Sequence, residues 1–396
     1  MSPERPTARL PVRSEFGDFD GRVWLNTAHQ GPLPLAAGAA AARACELKQF
    51  PHRIADADFT EVPERLRALL GRLIGADPAE IVLGDSTSHG IHLIANGLRF
   101  APGDEVLVVA GDYPATVLPW LRLRDQGVTV REVRPAGPVL SADDVAASIS
   151  DRSRVLALTW VNSFTGDTVD LDSIGAVCRS RDVAVVVNAS QAIGARPFDA
   201  AATAADAVVS CGYKWLCGPY GTGFTWLRPS FRARLRPQHA YWLAMQAGRT
   251  LDQMRESTIR HDLGVRAFDR FCPADFFDSL PWIAALELML SAGIAAIAEH
   301  DQRLVQRLLD GLDPQQYRLI SPAGGASRST LVVVDALDGQ AREWHQHLAA
   351  VGIDVAHREG NLRLCPHLFT TADDIDRALQ ALHDDPRRRG RDQPRE

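Results

Sequence analysis

Lysine is nearly missing from this 396-residue chain. Of its 43 basic residues only Lys48 and Lys214 are lysines, so arginine fills almost every place where positive charge alone is wanted. Long apolar runs are missing as well. Val106 to Ala110 and Val183 to Val187 are strand-sized, whereas a membrane span takes about 20 apolar residues. Neither charge sign dominates. A formal net charge of -6 leaves no electrostatic footprint for nucleic acid or an anionic membrane surface. The six cysteines, at 45, 178, 211, 217, 272 and 365, are scattered. In a chain this long they predict reduced, buried thiols rather than a disulfide framework. No His, Cys, Asp and Glu group has ligand spacing, which argues against a metal site. The opening MSPERPTARLPVRSEF puts charge and proline where a secretory leader needs an apolar stretch, so a cytoplasmic location is expected.

Ordinary globular proportions remain, 46% apolar and 23% charged residues, over a length that suits two domains. Apolar, β-rich runs at Glu105–Ala110, Val128–Val133, Arg154–Trp160, Val183–Asn188, Asp206–Ser210 and Gly223–Leu227 read as strands. Helical patterns alternate with them, at Pro63–Leu73, His89–Leu98, Ala115–Arg124 and Ser173–Ser180. Strands that are apolar on both faces and alternate with helices predict an α/β fold with a mainly parallel sheet covered on both sides. Helices near 281–297 and 300–311, strands at Thr330–Val334, Ile353–His357 and Leu362–Leu364, and a helix at Ala372–His383 predict a smaller α+β domain. The expected division is an N-terminal arm (1–20), a large domain (21–258), a small domain (259–385) and a frayed, charged tail (386–396). No internal repeat is found.

The two lysines differ in setting. Lys48 sits in ELKQF, a helix-surface pattern, and Lys214 in the apolar, glycine-rich SCGYKWLCGPYGTGF. Lysine can lose its proton and attack a carbonyl, which arginine cannot. Lys214 is therefore either a nucleophilic amine or a lysine snorkelling at a strand end. Three further stretches lie where open α/β sheets place ligands, beyond the carboxyl ends of strands. GDSTSHGIHLI sets Ser86, Thr87 and Ser88 at a helix start, as an anion site or as plain N-capping. VNASQAIGARPFD ends a strand with Asn188 and follows it with Gln191, facing a cleft or satisfying local backbone. GNLRLCPHLFTTADDID carries Arg363, which can clamp a carboxylate with two parallel hydrogen bonds or pair at the surface.

Six segments in order, VWLNTAHQGPLP, GDSTSHGIHLIANGL, DYPATVLPW, NASQAIGARPFD, GYKWLCGPYGTGF and LRLCPHLFTTADDID, resemble the class V aminotransferase family of fold-type I pyridoxal 5'-phosphate (PLP) enzymes. The likeness runs from about Trp24 to Asp376. It implies a large domain with a seven-stranded, mainly parallel sheet between helices, plus the small domain. It also implies that Lys214 holds PLP as a Schiff base and moves the proton at the substrate's α-carbon. Ser86, Thr87, Ser210 and Tyr213 are implied to hold the phosphate, Tyr113 to cover the ring, and Gln191 to bond the ring hydroxyl. Arg363 is implied to bind the α-carboxylate of an amino-acid substrate. A homodimer with sites at the subunit interface is implied too.

Three departures from the family pattern stand out. Asn188 replaces the aspartate whose charge keeps the ring nitrogen protonated; a neutral amide supplies no such charge. The cofactor then becomes a weaker electron sink, which favours a short-lived carbanion and β-elimination over full transamination. VNSFTG reverses the family's serine-then-asparagine order and leaves Asn162 and Ser163 without roles. AHREGNLR lacks the nucleophilic cysteine of the family's cysteine desulfurases, and Cys365 follows Arg363 on the same strand, so persulfide formation is not expected. His29, His89 and His367 receive no role. The leading expectation is a lyase that cleaves a Cβ–X bond, C–S among them. The alternatives are an epimerase, an aminotransferase of a specialised amino acid, and a binding protein on the same fold without turnover.

Overall fold

The computed structural model describes residues 13–242, 260 and 262–384. The first strand, Val23–Trp24 (β1), belongs to the smaller sheet. Ile81–Gly84 (β2), Glu105–Val109 (β3), Thr129–Val133 (β4), Ser153–Thr159 (β5), Ala184–Asn188 (β6), Ala207–Cys211 (β7) and Gly223–Leu227 (β8) form one seven-stranded sheet. Its order is β2-β8-β7-β6-β5-β3-β4. Strands β4, β3, β5, β6 and β7 run parallel, while β8 and β2 are antiparallel to their neighbours. Every residue of β6, β7 and β8 is buried, which is why these strands read as continuous apolar runs.

Helices cover both faces: Leu35–Gln49 (α1), Asp58–Ile74 (α2), Thr87–Gly97 (α3), Pro114–Leu121 (α4), Ala142–Ser148 (α5) and Leu171–Ser180 (α6). Leu70, Leu156, Val187, Trp215 and Trp282 pack on one face of the sheet. Ile91, Val106, Trp120, Val186 and Val209 pack on the other. Edge strand β2 was not legible in sequence, being four residues long and ending at Gly84. A buried pair fixes it. Asp269 accepts the Leu83 N–H at 2.8 Å and pairs with Arg67 of α2 at 2.7 Å.

Tyr317–Leu319 (β9), Val332–Ala336 (β10), Ala356–Arg358 (β12) and Asn361–Leu364 (β13) form an antiparallel sheet in the order β12-β13-β10-β9. Ile353–Asp354 (β11) instead pairs in parallel with β1. The expected strand Ile353–His357 is thus two short ones, each with its own partner.

The packing does not follow the expected division at residue 259. Helix Phe276–Ala292 sends Trp282, Leu286 and Met289 into the large sheet's core. The chain breaks at Gly293, whose φ of +83° suits glycine. The next helix, Ile294–Gly311, then puts Leu304, Val305 and Leu308 into the third core with Leu362 and Ile375. Val23 and Leu25, expected in the large domain, also lie in that third core. An apolar helix carries no mark of which core it will enter. Cys178, Cys211, Cys217 and Cys365 are buried as expected, whereas Cys45 and Cys272 are exposed. Among the described residues no single helix is long and apolar enough to cross a membrane.

Candidate functional site

Lys214 lies in the turn just past β7, on a buried backbone gripped from two sides. The Gly31 N–H donates to the Tyr213 carbonyl at 2.8 Å. A side chain at Gly31 would run into the Lys214 carbonyl, and one at Gly194, with φ of +100°, would meet the Trp215 carbonyl at 2.7 Å. Backbone packed this closely leaves the lysine little freedom except at its tip. Nζ stands 5.5 Å from the centre of the Tyr113 ring and 6.0 Å from that of Tyr213. Among the described residues no carboxylate pairs with it.

Tyr113 and Tyr213 stand by that amine, and the other residues expected from sequence are placed as follows, not all in the expected manner. Ser86 is the N-cap of α3; its hydroxyl accepts the His89 N–H at 3.1 Å and donates to Asp85 at 2.6 Å. Thr87 begins the helix, its hydroxyl 2.5 Å from that of Ser190. Tyr213 is half-buried, and burial pushes its phenol up, with further contributions from Cys211 and Tyr113. Tyr113, 38% exposed, stacks obliquely on Phe164 at 6.1 Å, with Lys214 Nζ 5.5 Å from its ring centre.

Ser210 does not join them. It is fully buried opposite Phe224 on the face that packs into the first core, and its hydroxyl points to the Cys211 carbonyl at 3.4 Å. Strand alternation puts Cys211 on the opposite face, and its thiol meets the Tyr213 hydroxyl. Gln191 is spent on protein partners. Its Nε2 donates to the Ala28 carbonyl at 2.9 Å, and its Oε1 accepts from Trp215 Nε1 at 2.8 Å. It braces the residue next to Lys214. Asn188, at the end of β6, donates from Nδ2 to Thr116 Oγ1 at 2.9 Å and accepts the Ser190 N–H at 3.1 Å.

Arg363 is buried on β13 and reaches Ser163's carbonyl through Nη1 at 2.9 Å, while its Nε has no partner among the described residues. A guanidinium stays charged under ordinary conditions, so a buried N–H without an acceptor marks a place for an anion. The charges converge. Burial lowers the His29 imidazole's pKa, and Arg358, Arg363 and Lys214 lower it further. Residues Asn162 and Ser163 acquire structural parts: Asn162 Oδ1 accepts the Phe164 and Thr165 N–H groups, and Ser163 supplies the carbonyl that holds Arg363. Two surface concavities, of about 820 and 890 Å³, lie elsewhere; residues such as Trp160 and Phe198 line the first, and His239 and Arg260 the second. Neither contains an amine nucleophile.

His367, a residue with no expected role, has a structural one. It is fully buried. Its Nδ1 is 2.8 Å from Asp301 Oδ2 and its Nε2 2.9 Å from the Trp215 carbonyl. Both ring nitrogens face acceptors, so the ring is an imidazolium. Burial opposes that charge, yet Asp301 raises the His367 pKa to about 10. The pair ties the small domain's helix to the peptide carrying Lys214.

A mainly parallel α/β sheet with a lysine at the carboxyl end of a central strand, a helix N-terminus following another strand and a buried arginine on the smaller sheet is the framework of a cofactor-dependent enzyme. The chain belongs to the aminotransferase class-V family, whose model matches residues 52–363, and its cofactor is PLP. It is 27% identical to a probable cysteine desulfurase of Methanothermobacter thermautotrophicus over 78% of this chain and 80% of that one. It is 26% identical to isopenicillin N epimerase of Streptomyces clavuligerus over 91% and 94%. Among solved structures, a lysine-to-alanine variant of C-DES with glycine covalently linked to its PLP superposes with a TM-score of 0.86 at 22% identity, over 94% of this chain and 99% of that one. A complex of the cystine C–S lyase C-DES with cysteine persulfide gives 0.83 at 23%, over 92% and 99%. The residues present fit the cofactor: an amine near an aromatic ring, the Ser86 and Thr87 hydroxyls at a helix start for the phosphate, and an arginine N–H lacking an acceptor among the described residues.

Proposed function

We propose that this chain is a lyase that cleaves a Cβ–X bond, C–S among them, of an L-amino acid. When bound, PLP supplies an electron-withdrawing ring that steadies negative charge at the substrate's α-carbon. Lys214 anchors that group and moves the proton at the α-carbon. The helix α3 N-terminus, with Ser86 and Thr87, and the Tyr213 hydroxyl hold the phosphate. Tyr113 covers the ring, and Arg363 clamps the α-carboxylate. The observation that carries the choice among reactions is Asn188, a neutral amide fixed by Thr116 and Ser190. Without a carboxylate there the ring nitrogen has no counter-charge, which favours departure of a good leaving group over a long-lived carbanion. The cystine C–S lyase among the structural neighbours supports the same reading. Persulfide formation on Cys365 is disfavoured, because burial pushes its thiol up to about 11.

Incubation with L-cystine and with cysteine S-conjugates is expected to release keto acid, ammonia and the sulfur-bearing group together. Absence of both keto acid and thiol would remove the lyase. A second reading, epimerisation, is favoured by the likeness to isopenicillin N epimerase over 91% of the chain. Its mark is solvent deuterium at the α-carbon with the side chain retained. Dependence on a keto-acid acceptor would mark an aminotransferase. A homodimer closing the open side of the cleft belongs to this proposal.

Replacing Arg363 with lysine keeps the charge and loses the fork. One charged hydrogen bond is worth about 1.5–3 kcal/mol, so the KM for the amino acid is expected to rise about tenfold or more. Steady-state kinetics with the substrate found above checks this.

A further inference from the structure

Asn188 is one end of a buried hydrogen-bond series whose direction can be worked out atom by atom. The Ser190 backbone N–H can only donate, so the atom 3.1 Å from it is the amide oxygen. The other amide atom, 2.9 Å from Thr116 Oγ1, is then the nitrogen, which also can only donate. Thr116 therefore accepts, and its own proton goes to Thr159 Oγ1 at 3.0 Å. Thr159 in turn donates its hydroxyl proton to the Asp112 carboxylate. Asp112 ends the series as an acceptor, also receiving the N–H groups of Tyr113 at 2.6 Å and Thr159 at 2.9 Å. Asn188, Thr116 and Thr159 are all buried.

We infer that Asp112, Thr159 and Thr116 are positioning residues, a one-way hydrogen-bond chain that holds Asn188 with its carboxamide nitrogen donating, so that the site is built for an amide and rejects a carboxylate there. With aspartate at 188 both ends of the chain are acceptors. Thr116 then gives its proton to residue 188, and Thr159 gives its proton to Asp112. Two hydroxyl oxygens 3.0 Å apart face each other with no hydrogen between them. A second buried negative charge adds repulsion. The neutral residue beside the ring nitrogen is thus embedded in its surroundings and is more than one isolated substitution. This inference rests on the proposed placement of Asn188 against the cofactor's ring nitrogen; the chain of hydrogen bonds rests on geometry alone.

A double-mutant cycle separates the two. Thermal midpoints of the full-length protein, without added cofactor, are compared for wild type, Thr159→Val, Asn188→Asp and the double variant. Thr159→Val is expected to lower the midpoint by about 2 °C or more beside Asn188. Beside the aspartate of N188D it is expected to leave the midpoint unchanged or raise it, because the surplus acceptor has gone. Equal losses in both backgrounds would overturn the chain. Should N188D not fold, Thr116→Val serves as the second background, in which T159V must cost less than in wild type; an equal cost overturns the chain there too. Loading with PLP labelled at the ring nitrogen supplies the spectroscopic readout. The wild-type nitrogen-15 signal is expected in the range of an unprotonated pyridine, and a pyridinium signal overturns the inference. If PLP fails to bind, the proposed function falls, and the unfolding cycle alone decides the chain.

Discussion

Lys214→Ala, mixed with PLP and passed through gel filtration, emerges without near-visible absorbance, and borohydride reduction leaves no adduct on the protein. The scarcity of lysine makes this test unusually clean. Only one other lysine exists, Lys48, on the exposed side of α1. Peptide mapping of the reduced wild-type protein therefore has two possible outcomes for a lysine adduct. Lys214 has the features of an attacking amine: little exposure, aromatic rings within about 6 Å on two sides and no ion-pair partner among the described residues. Loss of a positioned proton carrier costs about 10²- to 10⁴-fold in rate, and loss of the covalent anchor adds to that. Turnover in K214A should fall at least a thousandfold, as read by keto-acid release. An adduct on Lys48 would sink the assignment.

His367→Ala is the substitution expected to do most to stability. Asp301 is fully buried and its Oδ1 already lacks a partner among the described residues, so removing the imidazolium leaves a carboxylate in apolar surroundings with its compensating charge gone. Breaking a buried pair from one side costs about 3–5 kcal/mol, to be read as a loss in urea-unfolding free energy. The pH dependence follows from the direction of the shift. The folded-state pKa of His367 is raised from about 6.5 to about 10, so its contribution is complete below pH 6.5 and drains away as pH rises through 10. Wild-type stability should therefore decline on the alkaline side more steeply than that of H367A. Parallel alkaline profiles for the two proteins would show that the pair carries no charge. The Trp215 carbonyl also loses its donor in this variant. The turn bearing Lys214 then loosens, and cofactor retention should weaken in step with stability.

Much of the sheet was readable because burial on both faces writes itself as unbroken apolar residues. Strands β3 to β8 fall within a residue or two of where composition put them. Lys214 was readable for a different reason: where arginine serves every generic need, a surviving lysine stands out. The unread parts share one property, that they depend on partners remote in sequence. Ser210 and Cys211 are adjacent, and only the register of β7 against β8 decides which faces the cleft. Nothing in NASQAIG shows that Trp215 and Ala28 claim Gln191. Asp112, Thr159 and Asn188 come from three segments, each ordinary alone. His367 and Asp301 lie 66 positions apart, and neither looks buried by composition.

The pairing of β1 with β11 joins Val23 to Ile353 and Trp24 to Asp354. Every residue up to Asp354 must leave the ribosome before that pairing can form. The large sheet has all its strands by Leu227 and can assemble during synthesis, whereas the third core cannot close until its late-made half appears. Residues 23–25 must wait in the meantime, apolar and unprotected, for a partner more than 300 positions downstream. Closing so long a loop is slow, and a nascent chain holding such a segment is where a chaperone would be needed. Because Ala28 and Gly31 follow directly and clasp Gln191 and the Lys214 turn, the setting of Lys214 matures late in the birth of the molecule.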